Sequence, residues 1–104
     1  MATPFMFYTY ILRSQKSKIF YYGYTEDLKR RLKEHNEGRV FATKPHCPWR
    51  LVFYAAFETT KQAKEFEQYL KTGSGKAFAY KRLVSVALAN DYPKEFKGAP
   101  KPKA

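Results

Sequence analysis

Five residues carry the chemistry this sequence can offer: Tyr10, Tyr21, Arg31, His35 and Glu67. Arginine presents a planar fork of donors that matches phosphate oxygens. A histidine or a tyrosinate can take a proton from water. A single carboxylate can hold a hard divalent cation that keeps most of its own waters, as magnesium prefers. Together these are the parts of a metal-assisted phosphodiester hydrolase. The spacing alone also admits plainer roles. The two tyrosines suit strand positions as ordinary aromatics. Arg31 and His35 could line a solvated helix face, and Glu67 could pair with Lys71 one turn further on.

Three elements must bring the first four together. Aromatic and β-branched residues fill 5–12, which predicts a strand. Alternation puts Phe7, Thr9 and Ile11 on one face and Tyr8, Tyr10 and Leu12 on the other. The polar run 14–17 suits a hairpin loop, and 19–24 reads as the returning strand, so Tyr10 and Tyr21 stand near each other on one face. Gly23 inside that strand marks a bulge, a bend or a close approach to the backbone. Thr25 is a candidate N-cap for a helix over 26–36. Leu28 and Leu32 form its apolar stripe, flanked by Arg31 and His35, while Arg30, Lys33 and Glu34 face water.

Glu67 comes from further along. After an ordered loop over 39–48, the run WRLVFYAAF (49–57) reads from its continuous apolarity as the central strand. Thr59 and Gln62 make a capping box for a helix that runs to about residue 72 and stops at Gly73. Its inner face is Ala63, Phe66 and Leu70, with Glu67 on or beside that face and Glu65 turned to water. A buried carboxylate is costly unless it is paired or binds a cation. Ser74 is a candidate cap for a third helix over 75–89, with Ala77, Phe78, Val84 and Ala87 or Leu88 turned inward. Residues 1–89 then form one domain, and 90–104, with three prolines and four lysines, form a flexible basic tail.

Composition narrows the partner. The formal net charge is +11 over 104 residues, which favours a polyanion, with nucleic acid ahead of a membrane surface. The single cysteine, Cys47, excludes a disulfide framework or a thiolate zinc site within the chain and suits a reducing cytosol. His46 and Cys47 form half a metal site without a second half. Trp49 reads as core. No apolar run approaches membrane-spanning length, and the start lacks a signal-peptide pattern, so a cytoplasmic location is expected.

The ordered set resembles the GIY-YIG nuclease family. Tyr8-Thr9-Tyr10 keeps the last tyrosine of the first motif, and Tyr21-Tyr22-Gly23 keeps the tyrosine and glycine of the second. Arg31 follows Gly23 by eight residues and His35 comes four later. The stretches 44–54 and 63–75 are similar to the small, single-domain bacterial branch, which resembles the N-terminal nuclease domain of the excision-repair incision subunit. The resemblance spans residues 5 to about 85. It implies an α+β fold, a three-stranded antiparallel sheet flanked by about three helices. It implies DNA as substrate, endonuclease activity in repair or recombination, and Glu67 as the only protein ligand of one magnesium or manganese ion. Arg31 would contact the scissile phosphate, and Tyr10, Tyr21 and His35 would orient or deprotonate the attacking water, the base among the three being left open. Tyr8 replaces the first motif's glycine, and Ala79 stands where many members have asparagine. With no second domain to choose a cleavage site, specificity is low or comes from a protein partner. The alternatives are a non-catalytic nucleic-acid-binding module and a subunit active only with a partner.

Overall fold

The structure, a computed structural model, describes residues 5–90. The tail expected from residue 90 lies outside this range, except for Asn90, which closes the last helix. The order is β1 (Phe7–Ser14), β2 (Phe20–Thr25), α1 (Leu28–Asn36), a short 3-10 turn (Lys44–His46), β3 (Trp49–Phe57), α2 (Thr60–Leu70), α3 (Gly73–Arg82) and α4 (Ser85–Asn90). The three strands form one antiparallel sheet in the order β2-β1-β3. No helix among the described residues is long and apolar enough to cross a membrane.

The central strand is therefore β1, not β3 as its apolar run suggested. From Thr9 to Ser14 every β1 residue is buried, including the polar Thr9, Arg13 and Ser14. On β3, by contrast, Tyr54 and Ala56 are exposed. The polar side chains of β1 hid its position. Thr9 and Ser14 donate to backbone carbonyls of Ala63 and His46 at 2.6 and 2.7 Å, which is how a buried hydroxyl avoids its desolvation cost.

The two faces of β1 carry separate cores. Ile11 packs with Tyr22, Leu70, Ala79, Val84 and Ala87, so α2, α3 and α4 cover this face. Tyr10 and Leu12 pack with Trp49, with Leu28, Leu32 and Leu51 around them, so α1 covers the other. The β1–β3 register is interrupted, with Ile11 opposite Phe53 but Leu12 opposite Leu51. Val52 is the extra residue of a bulge. Both Val52 and Phe53 consequently pack towards α2, while Leu51 joins the α1 side.

The helix starts follow the caps. The capping box of Thr59 and Gln62 forms as expected. Asp27 rather than Thr25 caps α1: its carboxylate accepts from the Arg30 amide at 3.1 Å, while Thr25 ends β2 and accepts from the Asp27 amide. Thr72, not Ser74, caps α3, accepting from the Gly75 amide at 3.0 Å. A Cβ on Gly75 would run into the Tyr69 carbonyl, so α2 and α3 cross as closely as two backbones can. That crossing turns Gly75 and Ala79 inward and leaves Ala77 and Phe78 exposed, against expectation. The expected single third helix is also two. Leu83 and Val84 both donate to the Ala79 carbonyl, which ends α3 before α4 begins.

Thr9→Val removes the side-chain donor to the Ala63 carbonyl while keeping the shape of the side chain. Urea denaturation is expected to show a loss of about 1–3 kcal/mol, a loss that Thr9→Ser largely avoids.

Candidate functional site

Tyr10 sets the geometry. Its ring leans across β2 over Gly23, its cross-strand partner. A Cβ at Gly23 would lie 2.5 Å from the Tyr10 hydroxyl oxygen, so the close approach anticipated at this glycine is occupied by Tyr10 itself. Leaning this way brings the hydroxyl 2.9 Å from Nε2 of His35, one of the residues α1 turns inward.

His35 is fully buried, and its Nδ1 lies 2.7 Å from Oγ1 of Thr43. Thr43 is also fully buried, and its hydroxyl donates to the Val40 carbonyl at 3.3 Å. That leaves the Thr43 oxygen to accept, so His35 carries its proton on Nδ1 and Nε2 accepts from Tyr10. The Arg31 guanidinium in turn lies near enough to the Tyr10 hydroxyl for its charge to act on it. The result is one directional chain from Tyr10 through His35 and Thr43 to the Val40 carbonyl, with Arg31 at its outer end.

Electrostatics reinforce this assignment. Burial pushes the Tyr10 hydroxyl up to about 12, against the opposing pull of Arg31. Burial, helped by the charge of Arg31, lowers His35 to about 4. Tyr10 is therefore protonated and His35 neutral near pH 7. Burial works against the Arg31 cation, but Tyr10 and Glu34 outweigh it and raise its pKa; the Glu34 carboxylate meets it at 3.1 Å, and about a third of the Arg31 side chain is still exposed. Glu34 is thus half-buried and engaged rather than simply facing water.

Tyr21 sits diagonally from Tyr10 on the same face, with ring centroids 6.4 Å apart. Its ring meets His35 edge-on at 5.1 Å and Trp49 at 6.2 Å. Among the described residues its hydroxyl has no hydrogen-bond partner. Glu67 is placed differently. It projects from α2, whose neighbours Ala63 and Leu70 pack on the opposite face of β1. It is 8% exposed, and its carboxylate is held by the ammonium of Lys71. Among the described residues it forms no hydrogen bond or ion pair with the other four. The structure therefore brings Tyr10, Tyr21, Arg31 and His35 together and leaves Glu67 in its local pair.

The sequence reading missed Thr43. It lies in the 39–48 loop, where no periodicity points inward. Trp49 fixes it by donating from its indole to the Thr43 carbonyl at 2.9 Å, and Asn36 brackets the Trp49 backbone from both sides at 2.6 and 3.0 Å. Trp49 is core, as read. The Cys47 thiol points to the His35 carbonyl, and His46 Nδ1 is engaged by Ser17 at 2.6 Å. Among the described residues no group of three or more His, Cys, Asp and Glu side chains is arranged to hold a metal.

Comparison with known proteins gives the chain's relatives. Residues 6–81 match the GIY-YIG catalytic domain. The chain is 40% identical over 57 residues to the UPF0213 protein YazA of Bacillus subtilis, covering 54% of this chain and 58% of that one. It is 33% identical over 101 residues to a UPF0213 protein of Bacillus velezensis, covering 92% of this chain and all of that one. A solution NMR structure of a UPF0213 protein from Bacillus halodurans superposes with a TM-score of 0.44 at 27% identity, covering 93% of this chain and 99% of that one.

Two outcomes follow from the buried chain. Because the folded state holds His35 near 4 against an ordinary 6.5, its contribution to stability is complete above pH 6.5 and is lost as the pH falls towards 4, where the unfolded chain takes up a proton that the folded one refuses. Denaturant midpoints should fall across that window, and the His35 ring, followed by NMR, should stay neutral until near its lower end. Thr43→Val strands the Nδ1 proton. It should cost about 1–3 kcal/mol in the same denaturation assay, with Thr43→Ser restoring most of the loss.

Proposed function

Since the chain belongs to the GIY-YIG catalytic-domain family, a nuclease family, we propose that it is a DNA endonuclease that uses one divalent cation to hydrolyse a phosphodiester bond. The observation that carries the reading is the buried Tyr10–His35–Thr43 chain with Arg31 at its outer end and, among the described residues, a Tyr21 hydroxyl without a hydrogen-bond partner beside it. Arg31 spends one nitrogen on Glu34 and keeps the remainder of its fork for phosphate oxygens, where its charge stabilises the developing negative charge. The net charge of +11 draws a polyanion to it.

The same geometry distributes the proton roles. Tyr10 already donates to His35, and a phenol held near 12 beside an imidazole held near 4 does not surrender its proton to it. Tyr10 and His35 thus hold Arg31 in place, and Tyr21 is the group free to meet the attacking water. Glu67 is the carboxylate that would hold a magnesium or manganese ion. Its buried oxygens already accept a cationic partner, and that partner, Lys71, is half-exposed and able to swing away. Such an ion supplies Lewis-acid polarisation of phosphate and water. The resemblance to excision-repair nuclease domains supports a role in DNA repair or recombination in the cytoplasm, with specificity aided by a protein partner.

One observation favours a second reading. The Glu67–Lys71 pair is closed and lies on the helix that packs the other sheet face, which suits a module that binds nucleic acid without cutting it. Labelled duplex, branched and single-stranded DNA incubated with the full chain and magnesium or manganese separates the two. Arg31→Ala and Glu67→Gln are each expected to slow cutting by roughly 100-fold or more, with Glu67→Gln still binding DNA. Binding without cutting by any form, at any metal concentration, would leave the binding module.

A further inference from the structure

A groove of about 500 Å³ opens beside the four clustered residues, between α1 and β3. Tyr8 and Tyr54 wall it, and Leu28, Leu32 and Leu51 form its apolar floor. The two tyrosine rings meet edge to face, with centroids 6.1 Å apart. Tyr54 is 55% exposed and is the cross-strand partner of Tyr10 on β3, while Tyr8 precedes Tyr10 by two residues on the same sheet face. The groove therefore shares a sheet face with the Tyr10–Arg31 cluster and lies on its β3 side, with Leu28, Leu32 and Leu51 packed between the two.

We propose that this groove receives a nucleobase turned out of its stack, held against Tyr54 and Tyr8, next to the phosphate that Arg31 contacts. The proposal rests on the nuclease-family reading for the identity of the polymer. The substrate class it assigns is DNA with an unpaired base near the contacted phosphate: a bulge, a branch point or a single strand.

Three features select a base over other occupants. An edge-to-face tyrosine pair leaves a π-face open, and every base offers a matching face. The rim carries the carboxylates of Glu26 and Asp27 beside the ammonium of Lys29; the carboxylates accept from the exocyclic amino groups of bases, and Lys29 begins the row of cations along α1. Asp27 is partly committed to capping α1, whereas Glu26 is exposed and, among the described residues, has no hydrogen-bond or ion-pair partner. The cations that would track the backbone, Arg30, Arg31 and Lys33, lie further along α1. The volume suits a small ligand such as one nucleoside. A base within an intact duplex is stacked and paired and cannot enter, so unpairing sets the preference.

The test is metal-free binding by the full chain, in EDTA. Two duplexes of equal length are compared by anisotropy, one fully paired and one carrying a single bulged 2-aminopurine. The bulged duplex should bind about tenfold more tightly, with the 2-aminopurine emission changing on binding. Tyr54→Ala and Tyr8→Ala should each shrink that ratio towards one, and Tyr54→Phe should keep it, because stacking needs the ring and not the hydroxyl. Equal affinity of the wild-type chain for both duplexes would overturn the proposal, and so would a preference that survives both alanine variants. A dimer in sedimentation that Tyr54→Ala dissociates would give the groove to a second copy and overturn it too. Because no metal is present, the outcome is independent of cutting. A base preference with no nuclease activity in any form would sink the nuclease and keep the groove, and cutting without the preference would do the reverse.

Discussion

A tyrosine ring lying flat across a glycine is the contact on which the site depends. Tyr10 can reach α1 because the strand beside it has no side chain at residue 23. Without that gap the ring would stand up from the sheet, and its hydroxyl would miss His35. With it, three elements distant in sequence meet through one hydroxyl: a central strand, the helix after the hairpin, and a loop that reaches the helix through Thr43. The second motif's glycine is thus a packing requirement imposed by the first motif's tyrosine.

The cluster is organised as a neutral buried frame with its charge and its free hydroxyl outermost. Tyr10, His35 and Thr43 are sealed from water and fully hydrogen-bonded, a state in which a polar network rigidifies rather than destabilises its surroundings. Arg31 stands at the end of that frame, partly exposed, and Tyr21 lies beside it. Orientation is therefore fixed by groups that do not change protonation near neutral pH, and the groups open to solvent are left to meet a ligand.

Much of this was legible in the chain itself, and the misses have physical causes. The first strand, the hairpin, Gly23 and the pairing of Tyr10 with Tyr21 on one face follow from alternation and loop length. The capping box at Thr59 follows from side-chain reach. Strand order is not legible from apolarity, because apolarity is not burial: β3 is apolar through Phe53, Tyr54 and Ala55 yet forms a sheet edge, whereas β1 buries Thr9 and Ser14 by finding them carbonyls. The α3 start was misjudged because a glycine was read as a stop, when Gly73 opens the helix behind the Thr72 cap. Thr43 left no signal, since a loop threonine becomes an anchor only through the fold of distant residues. Glu67, expected on or beside the inner face of its helix, is buried, and its pairing with Lys71, one of the plainer roles its spacing admits, is the one the structure contains.

The bulge at Val52 has a consequence for how this chain can change over time. Leu51 and Tyr54 are three apart, an odd spacing that would put them on opposite faces of a regular strand. The extra residue between them corrects the parity, so one lines the floor and the other the wall of the same groove. Length at this point is consequently under tighter constraint than identity. Several apolar side chains could replace Val52, but losing a single codon here would turn half of the strand inside out, whereas the same loss in the 39–48 loop would only shorten a connection.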